Sequence, residues 1–495
     1  MHILLGILAI AATALVGCGD GTSSTGGSGG SAGDGGSSGA GGGDGMVWPC
    51  AEEGIRDAIA AGGGPQRFAC DGPTTVTTEA TIDIDNDVWL DGEGNLTVDG
   101  NRDHTVFSVP ASSTVTISGM TITRGRALAV GGGIFNEGDL VVMDSEISDN
   151  AAGDIAGGIY SLDGALTLSN TLVTRNEATR GAGLLVFGDV EITESTITAN
   201  VGGGIHSSSR LLVRDSTIAD NNGEFAGGGV HNARDASFFD SRITGNEAPL
   251  GGGIYSVGRL SLFETTVDGN IADQGGGIYG DDALRDIDGG DVEVFALGLT
   301  EIRYSTISNN SARLGAGIYS IALRMTMDNS TVSGNSAIET GGAVYIGGTT
   351  LGASTSFLVG TTITDNAAPS ASAVFATGET PTLRLAGNIL DGSCVAESSA
   401  VFLSEGSNFE SPGDTCGLGD PSDRVDLTTE DLDLGPLADN GGATQTHLPM
   451  AGSVAIDAIA IDDCQTVLPF TPLLDQRLVM RPQGAGCDVG SVEVE

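Results

Sequence analysis

The sequence predicts an all-β solenoid of short parallel strands, and two observations lead to this prediction. The first is a unit that is written nine times between about residues 131 and 366, with steps of 21 to 40 residues. Each copy begins with a glycine cluster followed by a branched apolar residue, such as Ile134. It ends with an apolar residue three positions before an asparagine, as in Ile147 and Asn150. The second is alternation of period two within a copy, which indicates strands. A unit this short must stack on its neighbours to bury its apolar side.

The strands are too short for hairpin cores, and the closing asparagine is not part of a two-residue hairpin loop. Glycine clusters and runs of threonine, isoleucine and valine disfavour helices. A coil remains, in which each strand pairs in parallel with the equivalent strand of the next repeat. The predicted fold is therefore a right-handed parallel β-helix.

The closing asparagines predict a structural ladder at one corner of the coil. Asparagine tolerates a left-handed backbone and can bond to the asparagine of the next coil. The predicted ladder comprises Asn150, Asn176, Asn200, Asn221, Asn246, Asn270, Asn310, Asn335 and Asn366.

The residue after each apolar anchor forms a second column, which holds five of the six tyrosines. Its members are Phe135, Tyr160, Leu185, His206, His231, Tyr255, Tyr279, Tyr319 and Tyr345. If the anchors face inward, these side chains lie outside the tube and stack at strand spacing. One interpretation is a solvent-facing strip that holds sugar rings, with His206 and His231 sharing a metal. The other is that the rings only pack on each other.

The first 17 residues form a short apolar run that predicts a signal sequence and is too short to span a membrane. Its end, Leu15 to Cys18, resembles the bacterial lipoprotein box, which implies that Cys18 carries a lipid and anchors the chain in the cell envelope, at the outer membrane or cell surface. The alternative is an ordinary cleaved signal with a free Cys18. Residues 18–46 are rich in glycine and serine, and we expect them to be a disordered tether.

Residues 47–73 predict an N-terminal cap. Ile55, Ala58 and Ile59 lie at helical spacing, with acidic residues in the first turn and glycines after the end. An amphipathic helix here would cover the open end of the solenoid. We expect the repeats themselves to span residues 74–385.

An acidic insertion between Gly280 and Thr300 contains Asp286, Asp288 and Asp291. This stretch loosely resembles a calcium loop but lacks the remaining ligands. A solvated surface loop is the other interpretation. Calcium is also suggested by acidic residues that recur in the repeats and repel one another unless screened, namely Asp144, Glu194, Asp215, Asp240 and Glu264.

Residues 386–495 differ from the repeats and contain the strings LGPLADNGG, TQTH, GSVAID, DQR, RPQ and CDVG. These strings are similar to the C-terminal segment of the bacterial choice-of-anchor Q family, whose members carry it after a β-helix. The repeats also resemble those of polymorphic outer-membrane proteins. The resemblance to the choice-of-anchor Q family implies cell-envelope anchoring rather than a reaction.

Besides Cys18, six cysteines lie in three pairs along the sequence: Cys50 and Cys70, Cys394 and Cys416, and Cys464 and Cys487. Six cysteines allow 15 pairings. Spacings of about 20 residues favour the nearest-neighbour pairing, and such bridges suit an oxidising compartment.

The net charge of −45 argues against nucleic acid as a partner, because phosphate binding needs a basic face. All 20 basic residues are arginine, so the sequence offers no lysine base.

Three functions remain open. The first is a non-enzymatic, surface-displayed lipoprotein that serves as a rigid scaffold for adhesion or binding, with a carbohydrate or a surface protein as ligand. The second is a polysaccharide lyase or hydrolase of the pectin-lyase type, with or without calcium, because Asp and Arg cluster near His206 and His231. That cluster contains Arg210, Arg214, Asp215, Arg234 and Asp235. The third is a module that binds neutral glycans through the tyrosine column.

Overall fold

The computed structural model describes residues 47–282, 298–348, 353–469 and 473–494. The predicted signal sequence, Cys18 and the tether lie outside the described residues. So do Asp286, Asp288 and Asp291 of the acidic insertion.

Each coil contributes three short strands, one to each of three rows, and every pairing within the rows is parallel. The prediction of a parallel β-helix is therefore confirmed. The first row contains Val47–Pro49, Gly63–Ala69, the first parts of Val88–Asp99 and Thr114–Thr123, Asp139–Met143, Leu166–Ser169, Val190–Thr193, Arg210–Arg214, Asp235–Phe239, Arg259–Phe263, Leu299–Arg303, Arg324–Asp328, Thr355–Val359, Thr382–Ala386 and Val401–Ser404.

The second row follows the first across one corner and belongs to the same 27-stranded sheet. It contains Thr74–Thr77, the second parts of Val88–Asp99 and Thr114–Thr123, Glu146–Ser148, Leu172–Thr174, Thr196–Thr198, Thr217–Ala219, Arg242–Thr244, Thr266–Asp268, Thr306–Ser308, Thr331–Ser333, Thr362–Thr364, Ile389–Asp391 and Phe409–Ser411.

The third row is a separate sheet of 13 strands that precedes the first row in each coil. It contains Ile82–Asp83, Phe107–Val109, Ile134–Asn136, Ile159–Ser161, Leu184–Val186, Ile205–Ser207, Val230–Asn232, Ile254–Ser256, Ile278–Gly280, Ile318–Ser320, Val344–Ile346, Val374–Ala376 and Cys394–Ala396.

The remaining elements are short. Two parallel pairs join Arg126–Ala127 to Ala151–Ala152 and Ser311–Leu314 to Ser336–Thr340, and one antiparallel pair joins Ile459–Ala460 to Gly486–Cys487. The helices are Glu52–Ala61, Thr429–Leu432 and Cys464–Val467. None of the helices in the described ranges is long and apolar enough to cross a membrane.

The core follows the predicted alternation. Leu140, Val142 and Ile147 are buried inside the coil, while Val141 and Met143 between them point outward and stay half-buried. Equivalent residues of the other coils extend this core into one continuous cluster. Stacked equivalent residues therefore bury the apolar side that one coil alone would expose.

The predicted asparagine ladder is confirmed. The side-chain amide of Asn200 donates to Asn221 Oδ1 over 2.9 Å, and that of Asn221 donates to Asn246 Oδ1 over 3.0 Å. The same bond links successive members from Asn150 to Asn366. Each amide inside the ladder also reaches a backbone carbonyl of the preceding coil, so these buried polar groups are satisfied.

A second ladder, which was not predicted, lies at the corner between the first and second rows. The backbone N–H of Thr171 donates to Ser195 Oγ over 3.1 Å, and that of Ser195 donates to Ser216 Oγ over 3.0 Å. Near the C-terminal end of the β-helix an asparagine side chain replaces the hydroxyl as acceptor, since the N–H of Thr361 donates to Asn388 Oδ1. Hydroxyls and amides thus satisfy backbone donors at this bend.

The N-terminal helix, Glu52–Ala61, buries Ile55, Ala58 and Ile59 in the same core as the coils. The helical cap is therefore confirmed. The parallel pairing starts before residue 74, because Val47–Pro49 and Gly63–Ala69 already pair as first-row strands. It also continues past residue 385, as far as Phe409–Ser411.

The three nearest-neighbour disulfides are present: Cys50–Cys70, Cys394–Cys416 and Cys464–Cys487. The last of them lies in a segment, residues 425–494, that leaves the coil and forms a core of its own against late first-row and second-row residues. Ile459, Leu468 and Val489 of this segment pack with Ala386 and Ile389 of the coil. We refer to residues 425–494, as far as they are described, as the C-terminal segment.

Candidate functional site

The aromatic column of the third row forms a continuous stack of rings from Tyr255 to Tyr345. Ring centroids are 5.3 Å apart between Tyr255 and Tyr279, 4.8 Å between Tyr279 and Tyr319, and 4.4 Å between Tyr319 and Tyr345. Phe375 extends the stack by one more ring, at 4.9 Å. The rings therefore contact their neighbours along the coil, as the packing interpretation expects.

The expectation of a solvent-facing strip is wrong for the middle of the column. Tyr255 is 0% exposed, and Tyr279, His206 and His231 are buried as well. The rings do lie outside the tube, but Leu250 and other apolar residues of neighbouring turns cover them. In this column only Phe135, Tyr160, Tyr319 and Tyr345 are half-buried. Sugar rings therefore find no continuous open platform here.

The two histidines of the column bond to each other rather than lying apart around a metal. His231 Nδ1 and His206 Nδ1 are 2.8 Å apart, so one ring donates and the other accepts. Burial sets the pKa of His231 well below its usual range, and the neighbouring His206 and Arg180 lower it further. The adjoining cavity measures about 30 Å³, enough for one or two waters but not for a sugar ring.

The residues proposed for catalysis do not converge on the histidines. Arg210 forms an ion pair with Asp189 at 3.0 Å, and the guanidinium of Arg214 lies 4.3 Å over the ring of Phe239. Asp235 lies beside Arg210 in the register of the first row. Arg234 precedes that row, and Asp215 follows it at the next corner. In the described ranges no three histidine, cysteine or acidic residues are arranged to hold a metal ion.

The structure draws attention instead to the bend between the first and second rows, which we call the corner face. It consists of three outward positions per coil: the last residue of the first row, the residue after it, and the first residue of the second row. The middle positions are Asp144, Asn170, Glu194, Asp215, Asp240, Glu264, Tyr304 and Asn329. All eight have φ between 42° and 51°, and this left-handed bend directs their side chains outward.

The central part of the corner face carries rings. Phe239 and Phe263 end consecutive first-row strands, and their centroids are 6.0 Å apart. Tyr304 continues the line, edge-on to Phe263 at 5.1 Å. Arg214 covers the other end through its contact with Phe239. The signal in the sequence was an aromatic residue directly before the acidic corner residue, as in Phe239-Asp240 and Phe263-Glu264.

Carboxylates line the same bend, and two of them, Asp240 and Glu264, have a raised pKa. Partial burial raises the pKa of Asp240, the charge of Asp215 raises it further, and Arg214 opposes the shift. Partial burial and the charge of Asp240 likewise raise the pKa of Glu264. The bend therefore carries a run of mutually repelling acids that favour a cation or a proton.

The C-terminal segment covers the later part of this corner face. The Gln476 amide donates to Ser305 O over 3.2 Å and to Thr306 Oγ1 over 2.9 Å, and its oxygen accepts from Thr331 Oγ1 over 2.7 Å. Thr444 donates its hydroxyl to Tyr304 O over 3.0 Å. Thr306 and Thr331 are both fully buried by this docking.

More contacts extend the docked surface. His447 Nε2 and Ser333 Oγ are 2.8 Å apart, and the N–H of Ser491 donates to Thr362 Oγ1 over 2.9 Å. Arg481, buried inside the segment, reaches Asn329 Oδ1 at 3.4 Å. Polar side chains therefore hold an irregular stretch of chain against a strand face.

The early part of the corner face stays open and forms a groove of about 440 Å³. Its lining residues are Asp144, Ser145, Glu146, Asn170, Thr171, Leu172, Glu194 and Thr196. Asn170 donates its amide to Asp144 over 2.7 Å, and Arg175 lies 3.4 Å from Glu146 at the edge.

The match to a known family model supports the fold. Residues 82–208 match the family model described as the right-handed β-helix region, which agrees with the predicted handedness. The crystal structure of pectate lyase Pel9A aligns over 91% of this chain and 96% of that chain, with a TM-score of 0.30 and 12% sequence identity. No curated protein matches the chain.

Proposed function

We propose that this protein is a non-enzymatic binding scaffold of the bacterial cell envelope, held by a lipid on Cys18, which binds its ligand along the corner face. The lipoprotein-like box at Leu15 to Cys18 supports the anchor. Three disulfides suit an oxidising compartment outside the cytoplasm.

One observation carries the binding role: the corner face already holds a length of polypeptide. Gln476 and Thr444 seat the C-terminal segment on Tyr304, Ser305 and Thr306 through side-chain hydrogen bonds. The earlier coils present the same three positions without this cover. A rigid coil with one face partly occupied and partly open suits a docking scaffold.

Two measurements test the anchor and the location. Replacement of Cys18 by serine should move the protein from the membrane fraction to the soluble fraction. Protease treatment of intact cells should degrade the wild-type protein while a cytoplasmic marker survives. Retention of the Cys18→Ser variant in membranes would contradict the lipid anchor, and full protection from protease would contradict surface display.

Cleavage of a glycan is the second candidate, and the acidic corner residues favour it. Asp215 and Asp240 lie on consecutive coils, which are about 4.8 Å apart, close to the carboxyl separation of retaining glycosidases. Asp240, with its raised pKa, would be the acid. Phe239 beside it could contact a sugar ring.

An activity assay separates the two candidates. The purified protein should release no product from a panel of neutral and uronate glycans, with or without calcium. Turnover that disappears in Asp240→Asn but persists in Asp154→Asn, an exposed acid elsewhere on the coil, would establish the enzyme instead.

A further inference from the structure

The coils are equivalent at the corner face, so contacts seen on one coil can be transferred to another. Second-row register pairs Glu146 with Leu172 and Leu172 with Thr196. The same register continues through later coils and pairs Thr306 with Thr331. The groove lined by Asp144, Glu146, Asn170, Leu172 and Glu194 therefore occupies the positions that the C-terminal segment covers further along. We call it the open groove.

The coils that contain Tyr304 and Asn329, which we call the covered coils, show which side chains these corner positions can bind. Asn329, a middle corner residue, meets the guanidinium of Arg481. Thr306 and Thr331, which begin second-row strands, meet the amide of Gln476. Tyr304 offers its backbone carbonyl to the hydroxyl of Thr444. The docked side chains are thus an arginine, an amide and a hydroxyl.

The open groove differs from the covered coils in charge. Where the covered coils have Asn329, the groove has Asp144 and Glu194, and where they have Thr306 it has Glu146. Leu172 supplies a half-buried apolar floor, and Thr196 supplies a hydroxyl. Arg175 is the one nearby cation among the described residues with an ion pair to this lining, and it already bonds to Asp149 at 2.8 Å. A guanidinium that meets a neutral amide on the covered coils would meet a carboxylate here, which strengthens the hydrogen bond.

The length of the groove fits a short extended chain. Three coils span about 10–14 Å at a coil spacing of about 4.8 Å, and an extended strand advances about 3.3 Å per residue. About three to four residues therefore fit along it. Phe239 and Phe263 lie on later coils, so the open groove has no ring on which a neutral sugar could stack. A uronate would be repelled by Asp144, Glu146 and Glu194.

We propose that the open groove binds an extended, arginine-bearing polypeptide segment of another chain, in the way that the later coils hold this protein's own C-terminal segment. The proposal rests on the proposed binding role and names its ligand class. The partner's guanidinium groups would bond to Asp144 and Glu194, and an amide or hydroxyl side chain of the partner would reach Thr196.

The test uses the purified protein and a fluorescein-labelled nonapeptide of alternating arginine and threonine, with anisotropy as the readout at about 150 mM salt. We expect binding to the wild-type protein. The Asp144→Asn, Glu194→Gln double variant should bind roughly fivefold to tenfold more weakly, since two charge-assisted contacts are lost. A peptide with glutamine in place of arginine should lose affinity to a similar extent.

The matched control is the Asp154→Asn, Glu224→Gln double variant, which removes the same charge from exposed positions away from the corner face. It should bind the peptide within about twofold of wild type, because screening limits distant charges. Thermal unfolding of all variants verifies that they fold.

Four results would overturn the proposal, and the first three are no binding, equal losses in the two double variants, and equal binding of the glutamine peptide. Equal losses would mean that the peptide responds only to the net charge of −45. A neutral glycan whose binding, measured alongside, depends on Asp144 and Glu194 would also overturn it. Each of these leaves the scaffold role standing if no glycan is cleaved, whereas Asp240-dependent cleavage would remove the scaffold role itself.

Discussion

The side-chain amide of Gln476 donates a hydrogen bond over 2.9 Å to the hydroxyl of Thr306, which lies 170 residues earlier in the chain. This bond joins the C-terminal segment to the corner face, and the Gln476 oxygen accepts a second bond from Thr331 of the next coil. The side chain of Gln476 therefore links two coils to the C-terminal segment, which is not part of the β-helix. The contact shows that the corner face can hold a chain that brings amide and hydroxyl groups.

Replacing Gln476 by alanine should loosen the C-terminal segment. The change removes the bonds of Gln476 to the carbonyl of Ser305 and to the hydroxyls of Thr306 and Thr331. Each of these buried groups keeps one other partner, so we expect a cost of about 2 kcal/mol for the lost bonds. We expect faster hydrogen exchange in residues 473–494 and unchanged exchange in residues 139–219. Gln483, which is exposed, is the control, and equal effects of Gln483→Ala and Gln476→Ala would contradict the docking.

The asparagine ladder should be a main source of stability. Asn221→Ala removes an amide that bonds to Ile197 O and Asn246 Oδ1, and it leaves the N–H groups of Asn200 without their acceptor. We expect a loss of about 2–3 kcal/mol in urea unfolding. Asn222→Ala changes the exposed neighbour and should cost under about 0.5 kcal/mol. Similar losses for both variants would show that the ladder contributes little.

Asp328 should make the stability depend on pH. Burial raises its pKa to about 6, although Arg303 lies 3.3 Å away and opposes the shift. The folded protein therefore binds this proton more tightly than the unfolded chain, and stability falls as the pH rises from about 4 to about 6.

Asp328→Asn removes that loss. We expect the variant to gain about 1–3 kcal/mol over wild type at pH 7.5 and nothing at pH 4, measured by urea unfolding. The control, Asp149→Asn, breaks an exposed ion pair with Arg175 and should cost under about 1 kcal/mol. A gain from Asp328→Asn that is the same at both pH values would refute the assignment.

The buried histidine pair predicts the opposite dependence. The lowered pKa of His231 keeps it neutral in the folded protein, so the unfolded chain binds more protons once the pH falls below about 6.5. Stability should then fall with acidification by up to about 1.4 kcal/mol per pH unit for each proton. The His206→Leu, His231→Leu variant uses the side chain of Leu185 in the same column and should lack this component between pH 6.5 and 5.

His104→Leu is the control for the histidine pair, because His104 is half-buried and lies outside the column. If the double variant and wild type lose stability in parallel over this range, the pair does not titrate as described.

The sequence predicted the repeat geometry residue by residue, because parallel coils place equivalent residues directly above one another. The contact of Asn200 with Asn221, the inward Ile147 and the bridge from Cys50 to Cys70 all follow from spacing. The burial of Tyr255 does not. Alternation tells which side of a strand a ring occupies, but the cover over that side comes from turns, such as the one that contains Leu250, whose paths have no fixed period.

Docking of the C-terminal segment also lay beyond sequence reasoning. Gln476 and Thr306 are far apart in the chain, and the bond between them is not a contact between equivalent residues of neighbouring coils. The sequence does contain one signal of this docking. The first residue of the second-row strands changes from Glu146 and Leu172 in early coils to Thr306 and Thr331 in later ones. Where the residue type at one position of successive coils changes from mixed to hydroxyl-bearing, another segment of the chain replaces water as the hydrogen-bond partner.

Reactivity of His447 toward diethylpyrocarbonate, read by mass spectrometry, tests the docking most directly. The imidazole is buried between Ser333 Oγ and Gly435 O, so it should react at least about tenfold more slowly in the native protein than in urea. Thr331→Arg places a charged side chain against Gln476 and should expose His447, while His206 and His231 stay protected in the intact coil. Fast modification of His447 in the native wild-type protein would contradict the account.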